Sequence, residues 1–128
     1  MPPSLAAPAG IDLGMIVHLT DGTTASFERE IEKYVYSLEE AIREVRSAHA
    51  ADSRPAVSSA AHRVLSLARM VGAQSLAESA ADLQDFAAAF TESELAGEVD
   101  TLAARANLLK AELESLSERS SLNSSPAS

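Results

Sequence analysis

Residues 55–72, PAVSSAAHRVLSLARMVG, form the segment from which the fold is predicted. It begins with a proline suited to the first helical turn and ends with a glycine suited to the position after the last turn. When the residues are plotted at about 100° each, one side of this helix collects its apolar residues, namely Val57, Ala60, Ala61, Val64, Leu67, Ala68 and Val71. The stretch therefore predicts an amphipathic helix that stops at Gly72 and presents His62, on the opposite side, to solvent.

The same helical period continues on both sides of this stretch. Apolar residues recur at spacings of three and four over 24–50, 73–91 and 92–116, and a shorter apolar segment covers 11–19. No segment alternates apolar and polar residues between turn signals, as a half-buried strand would. Amphipathic helices joined by short connections can each bury their apolar side against two neighbours. The sequence therefore predicts an all-α fold, an antiparallel four-helix bundle with a short N-terminal helix.

Length and charge limit the kinds of protein that this chain can be. It has 128 residues, a formal charge of -9 and no cysteine, so we expect one small domain over 11–117 between flexible tails at 1–10 and 118–128. That size excludes a complete kinase, and the negative charge disfavours nucleic acid and anionic membranes as partners. No apolar run approaches the ~20 residues of a membrane span. We expect a cytoplasmic monomer.

The exposed imidazole of His62 is the candidate reactive group. Its side of the helix carries small residues, with Ser58 and Ser59 one turn before it and Ser66 one turn after it. Another protein can therefore approach the ring closely. In its neutral form, such an imidazole can attack a phosphoryl group as a nucleophile.

Two arginines lie near this histidine in the sequence. Either Arg63 or Arg69 is placed to lie near a transferred negative charge. The chain has no phosphate-binding loop and no acidic cluster for magnesium, so a partner would have to bring the metal for phosphoryl transfer. The other two histidines, His18 and His49, have no comparable surroundings, and we assign no metal site.

A spacing pattern around His62 extends over more than twenty residues. It comprises Ala61, His62, Val64, Gly72, Ala73 and Leu76, followed by Leu83 and Gln84. In this pattern the sequence resembles the histidine-containing phosphotransfer (HPt) domains of bacterial two-component phosphorelays. Two positions depart from the family: Leu65 stands where members have lysine, and Ser66 stands where they have glycine.

The resemblance implies a function and a set of partners. It implies that His62 is phosphorylated and relays a phosphoryl group between a histidine kinase or a receiver-domain aspartate and another receiver domain. The implied partners are response-regulator receiver domains, kinases or both, with no cofactor on this chain and Mg²⁺ supplied by the receiver. The helical plot places Leu65 at the surface, where it would offer apolar contact to a docked receiver domain.

Two alternatives to this function remain open. The missing lysine at Leu65 also suits a degenerate HPt-like adaptor that binds a receiver or a kinase without being phosphorylated. The sequence at His62 faintly resembles the phosphoacceptor hairpin of a histidine kinase, but such hairpins build their bundle from two chains, whereas this chain has four long helices. For the same reason we expect the leucine seam between Leu95 and Leu116 to be core rather than a dimer zipper.

Overall fold

A computed structural model describes the backbone of residues 24–123 and the side chains of residues 26–119. Within that range the chain forms four α-helices and no strand, which confirms the all-α prediction. The helices are α1 (Thr24–Ala50), α2 (Arg54–Met70), α3 (Gln74–Phe86) and α4 (Glu92–Asn123). The predicted short helix at 11–19 and the predicted tail at 1–10 lie outside the described residues.

Each helix packs against two others. α1 contacts α2 and α4, and α3 contacts the other sides of α2 and α4, so the four helices enclose one core. Two side-chain contacts relate α1 to α2: Tyr34 bonds to Leu67, and Glu44 pairs with Arg63. In the direction in which residue numbers increase along α1, they therefore decrease along α2. This packing confirms a four-helix bundle.

The core is a single cluster of aliphatic and small side chains. The seam of α4 is buried within it from Leu95 to Leu113, and Leu116 is half-buried, so the predicted seam is core. Every helix contributes alanines to this cluster, and their small side chains let the helix backbones approach closely. The buried alanines are Ala41, Ala60, Ala61, Ala68, Ala73, Ala80, Ala87, Ala103 and Ala106.

The end of α2 follows the sequence prediction. Gly72 adopts a φ of 67°, and its N–H donates to the Arg69 carbonyl while the Ala73 N–H donates to that of Ala68. These are the two hydrogen bonds of a Schellman motif, which needs a left-handed residue at this position. The phenol of Tyr34 on α1 donates to the Leu67 carbonyl, another group that the end of a helix leaves without a partner.

The turn between α1 and α2 has the same geometry. Asp52 adopts a φ of 61°, its N–H donates to the His49 carbonyl, and the Ser53 N–H donates to that of Ala48. Ser53 then serves as N-cap of α2, because its side chain accepts a hydrogen bond from the Ala56 N–H at 3.3 Å. The chain thus reverses direction over three residues.

The third helix ends earlier than the sequence predicts. We expected it to continue to residue 91, but α3 ends at Phe86. Thr91 instead caps α4, because its hydroxyl accepts from the Glu94 N–H at 3.1 Å while the Glu94 carboxylate accepts from the Thr91 N–H at 2.8 Å. Arg54 holds the intervening loop by donating to the carbonyls of Ala87 and Phe90.

The fourth helix ends later than the sequence predicts. The domain was expected to stop at residue 117, yet α4 continues to Asn123. Neither proline nor glycine occurs between residues 118 and 123, so nothing in the chain breaks the backbone hydrogen bonds there. The serine-rich composition on which the predicted boundary rested lowers helix propensity only slightly.

Candidate functional site

The candidate site lies on the exposed side of α2, at its middle. His62 is exposed, whereas its neighbours Ala61 and Val64 have no exposed surface and anchor the helix in the core. The imidazole is therefore carried by a rigid element and reaches solvent without a change of backbone conformation. The predicted exposure of His62 is confirmed.

Gln84 on α3 holds the imidazole ring. Its side-chain Oε1 lies 3.0 Å from Nδ1 of His62. Because an amide oxygen can only accept, the contact requires a hydrogen on Nδ1. In the neutral ring the lone pair then belongs to Nε2, which is the nitrogen free to react with a partner. Gln84 belongs to the spacing pattern in the sequence, but its contact with His62 was not predicted, since periodicity does not show which side chains meet between two helices.

The serines around His62 have different contacts. Ser58 donates to the Gln84 carbonyl at 2.6 Å and so ties α2 to the residue that holds the imidazole. Ser66 donates to the His62 carbonyl at 3.2 Å, a bond within the helix. Ser59 is exposed and lines a shallow groove between α1 and α2. All three leave the approach to the ring open because their side chains are short.

The two arginines predicted near the site differ in their partners. Arg63 forms an ion pair with Glu44 on α1, which holds its guanidinium toward that helix. Arg69 is exposed and has neither an ion pair nor a side-chain hydrogen bond among the described residues. Arg69 is thus the free cation of the pair.

The prediction that Leu65 is exposed is wrong. Its side chain is 5% exposed and belongs to the core cluster. Leu65 lies about 60° from His62 around the helix, on the same side as Ser58, which contacts α3. A helix with neighbours on two sides buries a wider arc than a single stripe suggests. Leu65 therefore cannot offer the apolar contact to a docked partner that was expected of it.

The described residues hold no group of three or more histidine, aspartate or glutamate side chains placed to bind a metal ion. Among the same residues, no helix is both long enough and apolar enough to span a bilayer. His49 lies on α1, a different helix from that of His62, and its Nε2 is 3.6 Å from Oε1 of Glu92 on α4. The site thus consists of one imidazole, its amide partner, the short side chains around them and the free guanidinium of Arg69.

Comparison with known proteins gives one match. A family model described as Hpt domain matches residues 24–119, which is three quarters of the chain. No curated protein and no solved structure matches the chain significantly. The matched range begins with α1 and ends within α4, so it includes His62, Gln84 and every helix that the structure describes.

Proposed function

The chain belongs to the Hpt domain family, and on that basis we propose that it is a histidine phosphotransfer protein in which His62 carries the phosphoryl group. Hpt domains act in phosphotransfer in two-component signalling and interact with kinases and receiver domains. The observation that carries the proposal is the contact between His62 Nδ1 and Gln84 Oε1, because a neutral ring that donates from Nδ1 has its lone pair on Nε2. We propose that the partners are a histidine kinase, receiver domains or both.

The reaction that this arrangement supports moves one phosphoryl group and consumes no water. The Nε2 lone pair attacks the phosphorus of a receiver's aspartyl phosphate, and the N–P bond forms as the P–O bond to the carboxylate breaks. The aspartate leaves as a free carboxylate. The ring keeps its Nδ1 hydrogen and gains a positive charge, which the hydrogen bond to Gln84 Oε1 stabilises. In the return transfer a carboxylate attacks the phosphorus, and neutral imidazole leaves.

The metal for this reaction belongs, in this proposal, to the partner. A receiver-bound Mg²⁺ would neutralise charge on the phosphoryl oxygens during transfer. On this chain His62 supplies the nucleophile, Gln84 orients it, and the short side chains of Ser59 and Ser66 admit the partner. We further propose that the protein acts in the cytoplasm as a monomer.

A transfer assay with matched histidine variants tests the proposal. In the presence of Mg²⁺, the protein is mixed with receiver domains of the source organism whose phosphoryl group is radiolabelled. We expect an acid-labile, base-stable label on the wild type and on His49→Gln, but none on His62→Gln. Equal labelling of His62→Gln would refute the assignment of His62.

A non-phosphorylated adaptor is the second candidate function. It is favoured by Leu65, which is buried where members of the family carry a lysine, so the site lacks that cation. If the adaptor function is correct, His62→Ala binds receivers or kinases as tightly as the wild type, and no donor labels either protein. Labelling of the wild type in the transfer assay would exclude this function.

A further inference from the structure

We propose that Arg69 is a catalytic residue of this site, whose guanidinium contacts the phosphoryl group on Nε2 of His62. The inference rests on the proposed phosphotransfer function and adds the cation that the site uses. It gives α2 a positive charge next to His62, which the buried Leu65 at the family's lysine position cannot supply.

Arg69 lies on the same side of α2 as His62. Seven residues separate them, which corresponds to about two helical turns, a rotation of roughly 20° and a rise of about 10.5 Å. Side chains on a helix lean toward its N-terminus, so the long side chain of Arg69 leans toward His62. A phosphoryl group on Nε2 would lengthen the His62 side chain on the exposed side of α2, where Arg69 is also exposed.

The residue between His62 and Arg69 on this side of α2 has a short side chain. Ser66 is the residue of this stripe that lies between them, and its hydroxyl is turned back onto the His62 carbonyl at 3.2 Å. A short side chain held in this way does not block an arginine that passes over it. Leu65, the other residue next to Ser66 in the turn, is buried and leaves the surface clear.

Arg69 is also the arginine with a free charge. No carboxylate among the described residues pairs with it, whereas Glu44 holds Arg63 on the side of α2 that faces α1. In a chain of formal charge -9, a phosphoryl group with two negative charges is repelled by most of the molecule. An unpaired guanidinium with several N–H donors is the group on this side of α2 that can bind its oxygens.

Arg69 is the basic residue of the last turn of α2, so it also suits the negative end of the helix dipole. That role alone would affect the stability of the fold and leave the phosphoryl group untouched. The two roles are therefore separated by a measurement on the phosphorylated imidazole itself.

The first experiment follows phosphohistidine by phosphorus NMR without any partner. The protein is phosphorylated with phosphoramidate, in which the P–N bond to ammonia breaks as the bond to Nε2 forms, and the phosphoryl resonance is titrated with pH. A nearby cation favours the doubly charged phosphoryl group and lowers its pKa. We expect the titration midpoint to move to higher pH in Arg69→Ala, and to stay at the wild-type pH in Arg69→Lys and Arg63→Ala. Identical midpoints for Arg69→Ala and the wild type would overturn the proposal.

The second experiment measures transfer from a phosphorylated receiver. We expect Arg69→Ala to reduce kcat about tenfold or more, the effect of losing one charge-assisted hydrogen bond, with Arg63→Ala unchanged. The variant Arg69→Lys keeps a cation at the same position and should retain most of the rate. A loss confined to KM, or a loss in Arg69→Lys equal to that in Arg69→Ala, would contradict the proposal. Failure of wild-type phosphorylation would instead contradict the proposed function.

Discussion

In the proposed reaction, Gln84 determines which nitrogen of His62 reacts. Its Oε1 accepts from Nδ1 at 3.0 Å, and Ser58 fixes the Gln84 backbone from the opposite helix. Because both contacts join α2 to α3, the reactive ring is oriented by packing of the bundle. A histidine without this contact would sample both tautomers and several ring orientations.

We therefore expect Gln84→Ala to slow phosphorylation of His62 about tenfold, since the positive charge formed on the ring loses a hydrogen-bond acceptor. Nitrogen NMR of the unphosphorylated protein should show Nδ1–H in the wild type and a mixture of tautomers in the variant. Gln84→Glu keeps an acceptor at this position and is the matched control. An unchanged rate in Gln84→Ala would show that the contact has no part in the reaction.

In contrast to Gln84, Ser79 has a side-chain hydroxyl that makes no hydrogen bond among the described residues. Its hydroxyl is buried, with a residue exposure of 3%, and finds no partner among the described residues. We expect Ser79→Ala to raise the free energy of unfolding by about 1 kcal/mol, because the desolvation penalty disappears. Urea unfolding measures the change, with Ser58→Ala as a control that should lower stability. A clear loss of stability in Ser79→Ala would mean that the hydroxyl has a partner.

Some of the individual residues of the site were predictable from the sequence. The exposure of His62 follows from one helical plot, since the apolar residues of α2 lie opposite it. The burial of Leu65 does not, because the plot cannot know that α3 covers that side of α2. The partner of His62 is 22 residues away, and only the packing of two helices shows that Gln84 reaches it.

Two helices of this protein are each followed by a residue with a positive φ. Asp52 and Gly72 both adopt left-handed backbone conformations after a helix. Aspartate tolerates this conformation less well than glycine, which has no Cβ.

Substitutions at these two turns should therefore have opposite effects. We expect Gly72→Ala to destabilise the fold by about 1 kcal/mol and Asp52→Gly to stabilise it by about 0.5 kcal/mol, after allowing for the greater freedom of glycine in the unfolded chain. Thermal unfolding with calorimetry measures both. Equal melting temperatures for Gly72→Ala and the wild type would contradict the role given to this turn.

The bounds of the elements were predictable where the chain carries a breaker or a cap that was recognised. The span 24–50 predicted for the first long helix agrees with α1, and Gly72 follows the end of α2 as expected. The end of α3 was predicted too late because apolar spacing continues through Phe90, whereas the capping pair of Thr91 and Glu94 starts a new helix. That pair has the capping-box spacing, so the sequence does contain a signal for it.

The stability of the whole bundle depends on pH through Tyr34. Its phenol is buried between α1 and α2 and donates to Leu67, and burial raises the pKa of Tyr34 above its usual value near 10. The neutral phenol is present in both states below pH 10, so its contribution is complete there. Above pH 10 the unfolded chain loses this proton first, and the stability contributed by Tyr34 declines as the pH rises further.

We expect Tyr34→Phe to lower stability by about 1 kcal/mol at pH 7 and to remove this part of the alkaline decline. Tyr36, which is 63% exposed on the same helix, provides the matched control in Tyr36→Phe. Denaturant unfolding from pH 8 to 11 gives both results. If Tyr34→Phe and the wild type lose stability in parallel, Tyr34 is not the group responsible.

At the scale of the molecule, a small chain is large enough for the proposed phosphoryl transfer, because that reaction needs only one oriented imidazole from it. The fold class and the number of long helices follow from hydrophobic period and chain length, since each amphipathic helix needs two neighbours. The identity of the partners does not follow, because a net negative charge disfavours anionic partners without selecting any other.

Site mapping of the phosphorylated wild type shows whether His62 is the residue that accepts phosphate. After incubation with a phosphorylated receiver and Mg²⁺, the protein is kept at alkaline pH, digested and analysed by mass spectrometry. We expect one phosphate, on the peptide that contains His62, and a nitrogen-linked phosphorus resonance at Nε2. Phosphate on any other residue, or none with all receivers of the source organism, would contradict this assignment.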